Sequence, residues 1–98
     1  MSGQISIDLS TGLVKKGSVA EQTQIILENI KTILEEAGTN LNNVLKCNVY
    51  ISSMKHFEEM NNVYKEYFKA YPPARITVAV KELYEDLDIE VDVIAATN

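Results

Sequence analysis

A chain of 98 residues holds one hydrophobic core and no second domain, and burial within so short a chain is modest enough that self-association would help it. Its net charge of −5 and scattered nine Lys and Arg leave no basic stripe of the kind a general nucleic-acid surface needs, so nucleic acid is an unexpected partner. One cysteine, Cys47, and one histidine, His56, exclude an internal disulfide and any cysteine- or histidine-rich metal site, and no metal is expected.

The amino terminus, Met1 to Ile7, has neither the basic nor the apolar region of a secretion signal, and no stretch is long and apolar enough to span a bilayer. The expected location is therefore the cytoplasm, with a mitochondrial one open if a leader has been removed. Ile5 and Ile7 alternate with polar neighbours and predict a short strand running into a turn at Asp8–Gly12. Ser18-Val19-Ala20-Glu21 is a capping box, and Ile26, Leu27, Ile30, Ile33, Leu34 and Ala37 recur at helical spacing until Gly38. A helix over 18–37 with one buried face follows.

After a loop at Asn40–Asn43, Leu45, Cys47, Val49 and Ile51 alternate with Lys46, Asn48 and Tyr50, which predicts a strand with an apolar and a semi-polar face. A second helix starts near 53–56, carries Phe57, Met60, Tyr64, Tyr67 and Phe68 on one side, and stops before Pro72-Pro73. Two strands complete the chain. Ile76, Val78 and Val80 oppose Arg75, Thr77 and Ala79 in the first; Ile89, Val91 and Val93 oppose Glu90, Asp92 and Ile94 in the second. This order predicts an α+β fold in which two helices cover one face of a mixed sheet, leaving a semi-apolar face for a neighbouring subunit.

Arg75 and Glu90 are the residues with chemical promise. A guanidinium at the mouth of a strand is a planar fork that can grip a carboxylate in two places, and a partly enclosed glutamate can place a water. Arg75 is equally explained as a strand-end residue paired with surface carboxylates, and Glu90 as a solvated edge-strand residue; the two become a site if they are cross-strand neighbours. Cys47 sits among apolar residues as a small hydrophobe, His56 reads as a surface or capping residue, and Asp92 as a solvated or inter-subunit carboxylate. Tyr64 and Tyr67 read as helix-face packing, and Tyr84 as a loop aromatic placed to lie over a cleft mouth.

The blocks Ser2-Gly3-Gln4-Ile5, Gln22–Gly38, Val44-Leu45-Lys46, Phe57–Asn61, Val63-Tyr64, Tyr67-Phe68, Pro73-Ala74-Arg75 and Ile89-Glu90-Val91 occur in order across essentially the whole chain. Together they closely resemble the RidA/YjgF family. The resemblance implies a chorismate-mutase-like α+β fold, a homotrimer with ligand clefts between subunits, and cofactor-free hydrolysis of reactive 2-imino or enamine acids, such as 2-iminobutanoate, to 2-oxo acids and ammonia. It implies that Arg75 binds the substrate carboxylate, that Glu90 places the attacking water, and that Ser2, Gly3, Asn61 and Thr77 line the cleft. Family members carry a further amino-terminal strand and a cleft-closing tyrosine, and the resemblance begins after them. The usual Leu-Pro of the last hairpin is Leu83-Tyr84 here, followed by Glu85, Asp86 and Asp88, a change that bears on substrate preference. Two other functions fit the same resemblance: a non-catalytic trimer that binds a small ligand or protein, and the endoribonuclease or translation-inhibitor activity attached to some relatives.

Overall fold

The computed structural model describes residues 3–97. Helix α1 spans Val19–Glu36 and starts where the capping box predicts: Ser18 Oγ accepts from the Glu21 N–H and Glu21 Oε1 accepts from the Ser18 N–H, both at 3.1 Å. It ends where Gly38 takes a φ of 86°, a left-handed value that lets the Thr39 N–H reach back to the Leu34 carbonyl at 2.9 Å. Helix α2, Phe57–Tyr67, follows a single helical turn at Met54–His56. His56 stands at its start without a side-chain cap, its Nε2 3.7 Å from Asp88 Oδ1.

Strands β1 (Val44–Ile51), β2 (Ala74–Ala79) and β3 (Ile89–Ala95) form one mixed sheet with β1 in the middle, parallel to β2 and antiparallel to β3. The strand expected at Ile5–Ile7 is absent as a continuous element. That segment makes only two isolated bridges, Gln4 to Val91 and Ile7 to Val14, because its turn folds it back on itself after a few residues. A second difference lies at Leu45. A register shift between Val44 and Lys46 makes Leu45 the extra residue of a bulge, so it is exposed and Val44 fills the core position instead.

Both faces of the sheet follow from the register. On the face covered by the helices, successive rows read Arg75–Cys47–Val93, Thr77–Val49–Val91 and Ala79–Ile51–Ile89. Against these pack Ile26, Leu27 and Ile30 of α1 and Met60 and Tyr64 of α2, all buried. The opposite face has rows Ala74–Lys46–Ile94, Ile76–Asn48–Asp92 and Val78–Tyr50–Glu90. No element of the described chain covers it, and Ile76, Val78 and Ile94 stand 50%, 40% and 54% exposed.

Buried Gln22 is the polar exception in α1. Its Nε2 donates to the Gly17 carbonyl and to Asp88 Oδ2, and its Oε1 accepts from the Asp88 N–H at 2.8 Å. Every polar atom of the amide has a partner, as burial requires. Ser52 Oγ holds the other Asp88 oxygen at 2.9 Å. Asp88 thereby fixes the start of β3 two residues before Glu90.

Candidate functional site

Arg75 enters β2 immediately after Pro73-Ala74, on the edge strand and on the helix-covered face. The alternation of β2 aims it at α2, where three side chains receive it. Asn61 Oδ1 accepts from Arg75 Nη1 at 2.6 Å, and the guanidinium carbon lies 4.6 Å from the centre of the Tyr64 ring and 5.3 Å from that of Phe57. Helical spacing puts Phe57, Asn61 and Tyr64 on one side of α2. A cation stacked on aromatic rings and oriented by a neutral amide is fixed in position without being neutralised. No carboxylate of the described residues pairs with it. The surface-pair explanation of Arg75 therefore fails.

Beside the guanidinium is a hollow of about 330 Å³ with apolar walls from Tyr64, Phe68, Pro72 and Pro73. Behind it the Cys47 thiol and the Tyr64 hydroxyl lie together in the core, and burial raises the pKa of both above its ordinary value. Cys47 is thus a neutral core thiol, in keeping with its reading as a small hydrophobe. Thr77, one pleat further along β2, turns a buried hydroxyl toward the same side; neither it nor the Tyr64 hydroxyl has a hydrogen-bond acceptor or donor of good geometry among the described residues. Arg75 and Asn61 are therefore in contact, and Thr77 shares their side of β2 without lining the hollow.

Glu90 is elsewhere. It and Arg75 are not cross-strand neighbours, because β1 lies between their strands, and the register puts Glu90 opposite Tyr50 and Arg75 opposite Cys47. The odd and even positions of the sheet then send the two side chains to opposite faces. The condition that the two be cross-strand neighbours is not met within one chain: the antiparallel partner of β3 is β1. What Glu90 does touch is Gly3. A Cβ built on Gly3 would overlap Glu90 Oε2 and lie 2.9 Å from its carboxyl carbon, so only glycine lets the carboxylate lie flat against this backbone. The bridge from Gln4 to Val91, with N–H···O distances of 2.7 and 3.0 Å, holds Gly3 there. Ser2 lies outside the described residues.

Beside Glu90 on the open face is a polar group that spacing alone does not reveal. Asn48 Nδ2 donates to Asp92 Oδ1 at 2.7 Å and the Tyr50 hydroxyl to Asp92 Oδ2 at 3.2 Å. That bond and the nearby carboxylates raise the Tyr50 pKa, keeping the phenol protonated. Asp92 is thus a hydrogen-bonded anchor on the open face. The aromatic seat of Arg75 was likewise hidden in the sequence, where Phe57 and Tyr64 look like ordinary core residues; their i, i+4 and i+7 spacing with Asn61 was the available signal. Tyr84 is 63% exposed, in a loop where Glu85 and Asp86 take left-handed φ values of 56° and 54°.

A three-stranded mixed sheet backed by two helices, with a seated arginine on its edge, defines an α+β protein with a cationic edge pocket. A family model described as endoribonuclease L-PSP matches residues 1–97. A RutC family protein of Pyrococcus abyssi is 50% identical over 95 residues, covering 97% of this chain and 75% of the relative. Among solved structures, the YjgF gene product of E. coli matches with a TM-score of 0.89 at 34% identity, over 99% of this chain and 78% of that one. E. coli TdcF, crystallised with bound serine, matches with a TM-score of 0.89 at 33% identity and the same coverage. The chain belongs to the RidA/YjgF family, also called the endoribonuclease L-PSP family. Its fold is the YjgF-like α+β fold expected from its sequence. Among the described residues no helix is long and apolar enough to cross a membrane.

Proposed function

We propose that the protein hydrolyses reactive 2-imino acids to 2-oxo acids and ammonia at a site shared between two copies of the chain in a homotrimer. One copy supplies Arg75 with Asn61 and Thr77; the next supplies Glu90 with Gly3. The observation that carries this reading is the seat of Arg75, a cation stacked on Tyr64 and, among the described residues, bonded to a neutral amide and to no carboxylate, at the edge of an apolar hollow. Since Glu90 faces the other side of the same sheet, a second copy is what can bring a Glu90 to an Arg75. The exposed Ile76, Val78 and Ile94 of the open face favour such an assembly, because a sheet face this apolar is stabilised by being covered.

The chemistry follows from the groups available. Arg75 grips the carboxylate through two parallel hydrogen bonds and so fixes the imine carbon next to it. A water adds to that carbon as Glu90 takes one of its protons, forming a carbinolamine. The proton passes from Glu90 to the nitrogen, the carbon–nitrogen bond breaks with its electron pair leaving on nitrogen, and an oxygen lone pair closes the new carbonyl. The hydroxyl proton goes to the departing ammonia, so a 2-oxo acid and ammonium leave and Glu90 is again a carboxylate. The iminium is already electrophilic, so no cofactor is called for.

Release of ammonia from freshly generated 2-iminobutanoate tests this reading. Glu90→Gln should slow turnover while leaving 2-oxobutanoate binding nearly intact, whereas Arg75→Lys, which keeps the charge but loses the fork, should weaken that binding about ten- to a hundredfold. Turnover unchanged in Glu90→Gln trimers would remove Glu90 from the mechanism. The acidic balance of the chain argues against an RNA substrate, and salt-dependent binding to a single-stranded RNA would revive that alternative.

A further inference from the structure

The hollow at Arg75 differs in charge from three other hollows of the described surface. The protein is acidic, with a net charge of −5. Three other surface hollows, of about 400, 390 and 230 Å³, each carry carboxylates: Asp8 and Glu28 beside Lys15 in the first, Glu66 in the second and Glu35 beside Lys31 in the third. The hollow at Arg75 carries none. Its only charged residues are Arg75 and Lys65.

Lys65 stands one helical turn after Asn61, the residue whose amide orients the guanidinium. Residues four apart on a helix have their Cβ atoms about 5–6 Å apart on the same side. Lys65 therefore extends a flexible stem from the same side of α2 as the arginine's anchor and lines the hollow together with Phe68 and the two prolines. It forms no ion pair with a described residue; the adjacent Glu66 pairs with Lys69 at 2.7 Å, and its carboxyl is held below the usual range by Lys69 first and by the charge of Lys65 to a lesser degree. One cation in the hollow is accounted for by the carboxylate beside the imine carbon. The second is left over, lining the same hollow of about 330 Å³.

We propose that this hollow selects 2-imino acids bearing a second carboxylate, with Arg75 holding the carboxylate next to the imine and Lys65 meeting the one at the far end of the side chain. The substrate class is that of four- and five-carbon 2-imino diacids. This rests on Arg75 being the carboxylate clamp of the reading above, and adds to it a residue that sets specificity. A lysine is suited to that task, since a mobile point charge accepts carboxylates at slightly different depths where a rigid fork would accept one.

Calorimetric titration of 2-oxobutanoate and 2-oxoglutarate into the unmutated assembly and into Lys65→Gln tests the proposal. One charge-assisted contact predicts that the unmutated protein binds 2-oxoglutarate about tenfold more tightly than 2-oxobutanoate at low ionic strength, an advantage that shrinks as salt rises. In Lys65→Gln the two ligands should bind equally, with 2-oxobutanoate affinity unchanged. Equal affinities in the unmutated protein, or a diacid preference that survives Lys65→Gln, would overturn the role of Lys65 and leave the clamp standing. Failure of both ligands to bind would overturn the clamp as well.

Discussion

The two faces of the sheet solve their burial problem in different ways. Under the helices, Cys47, Val49, Ile51, Ile89, Val91 and Val93 meet Ile26, Leu27, Ile30 and Met60, and all of them are buried within one chain. On the other face apolar Ile76, Val78 and Ile94 alternate with Asn48, Tyr50, Glu90 and Asp92, and apart from Gly3 against Glu90 no element of the described residues lies over them. The first face is complete on its own terms and carries stability. The second is half apolar, half polar and ordered by its own hydrogen bonds, a composition that suits contact with a like surface more than it suits water. The two proposed halves of the site divide along the same line, with Arg75 at the edge of the covered face and Glu90 on the open one.

The comparison breaks first at the core. Ile51→Ala removes a fully buried side chain from the central strand and should cost about 2–5 kcal/mol in chemical denaturation, whatever the state of assembly. A loss below about 1 kcal/mol would mean that the covered face is not the stabilising one. Gly3→Ala probes the other region. The added methyl must displace the Glu90 carboxylate, so ammonia release should fall about tenfold or more while 2-oxobutanoate binding at Arg75 persists. Unchanged turnover would show that Glu90 does its work from another position, or none. The smallest effect on the folding of the chain itself is expected from Val78→Lys, because Val78 is on the uncovered face. Its circular dichroism should be native, yet sedimentation should show dissociation toward monomers, since an ammonium placed in an apolar contact loses its hydration. A Val78→Lys protein that sediments as the unmutated one does would place the subunit contact elsewhere.

Much of the covered face was legible in the sequence because helix periodicity, the Ser18–Glu21 capping box and the period-two alternation of three strands all agree there. Leu45 misled, since the bulge that turns it outward leaves no mark on an alternating pattern. Ile5 and Ile7 misled for a related reason: alternation predicts strand geometry without saying whether a partner strand is within reach. Arg75, Asn61 and Thr77 could be named from the family's motifs, and geometry joins the first two. The relation of Arg75 to Glu90 could not be read from sequence. It depends on strand order, which puts β1 between two strands that are consecutive in the chain, and on register parity, which one residue's shift would reverse.

The central claim is that a complete site draws Arg75 and Glu90 from different copies, and subunit complementation tests it most directly. Arg75→Met and Glu90→Gln chains, each assembled alone, should release ammonia from 2-iminobutanoate far more slowly than the unmutated protein. Unfolded, mixed in equal amounts and refolded together, they should regain activity, because random closure of a threefold ring leaves about one contact in four with both residues intact. Recovery near that fraction of unmutated activity is the predicted result. No recovery, with mixed trimers demonstrated by mass spectrometry of the intact assemblies, would contradict the shared site.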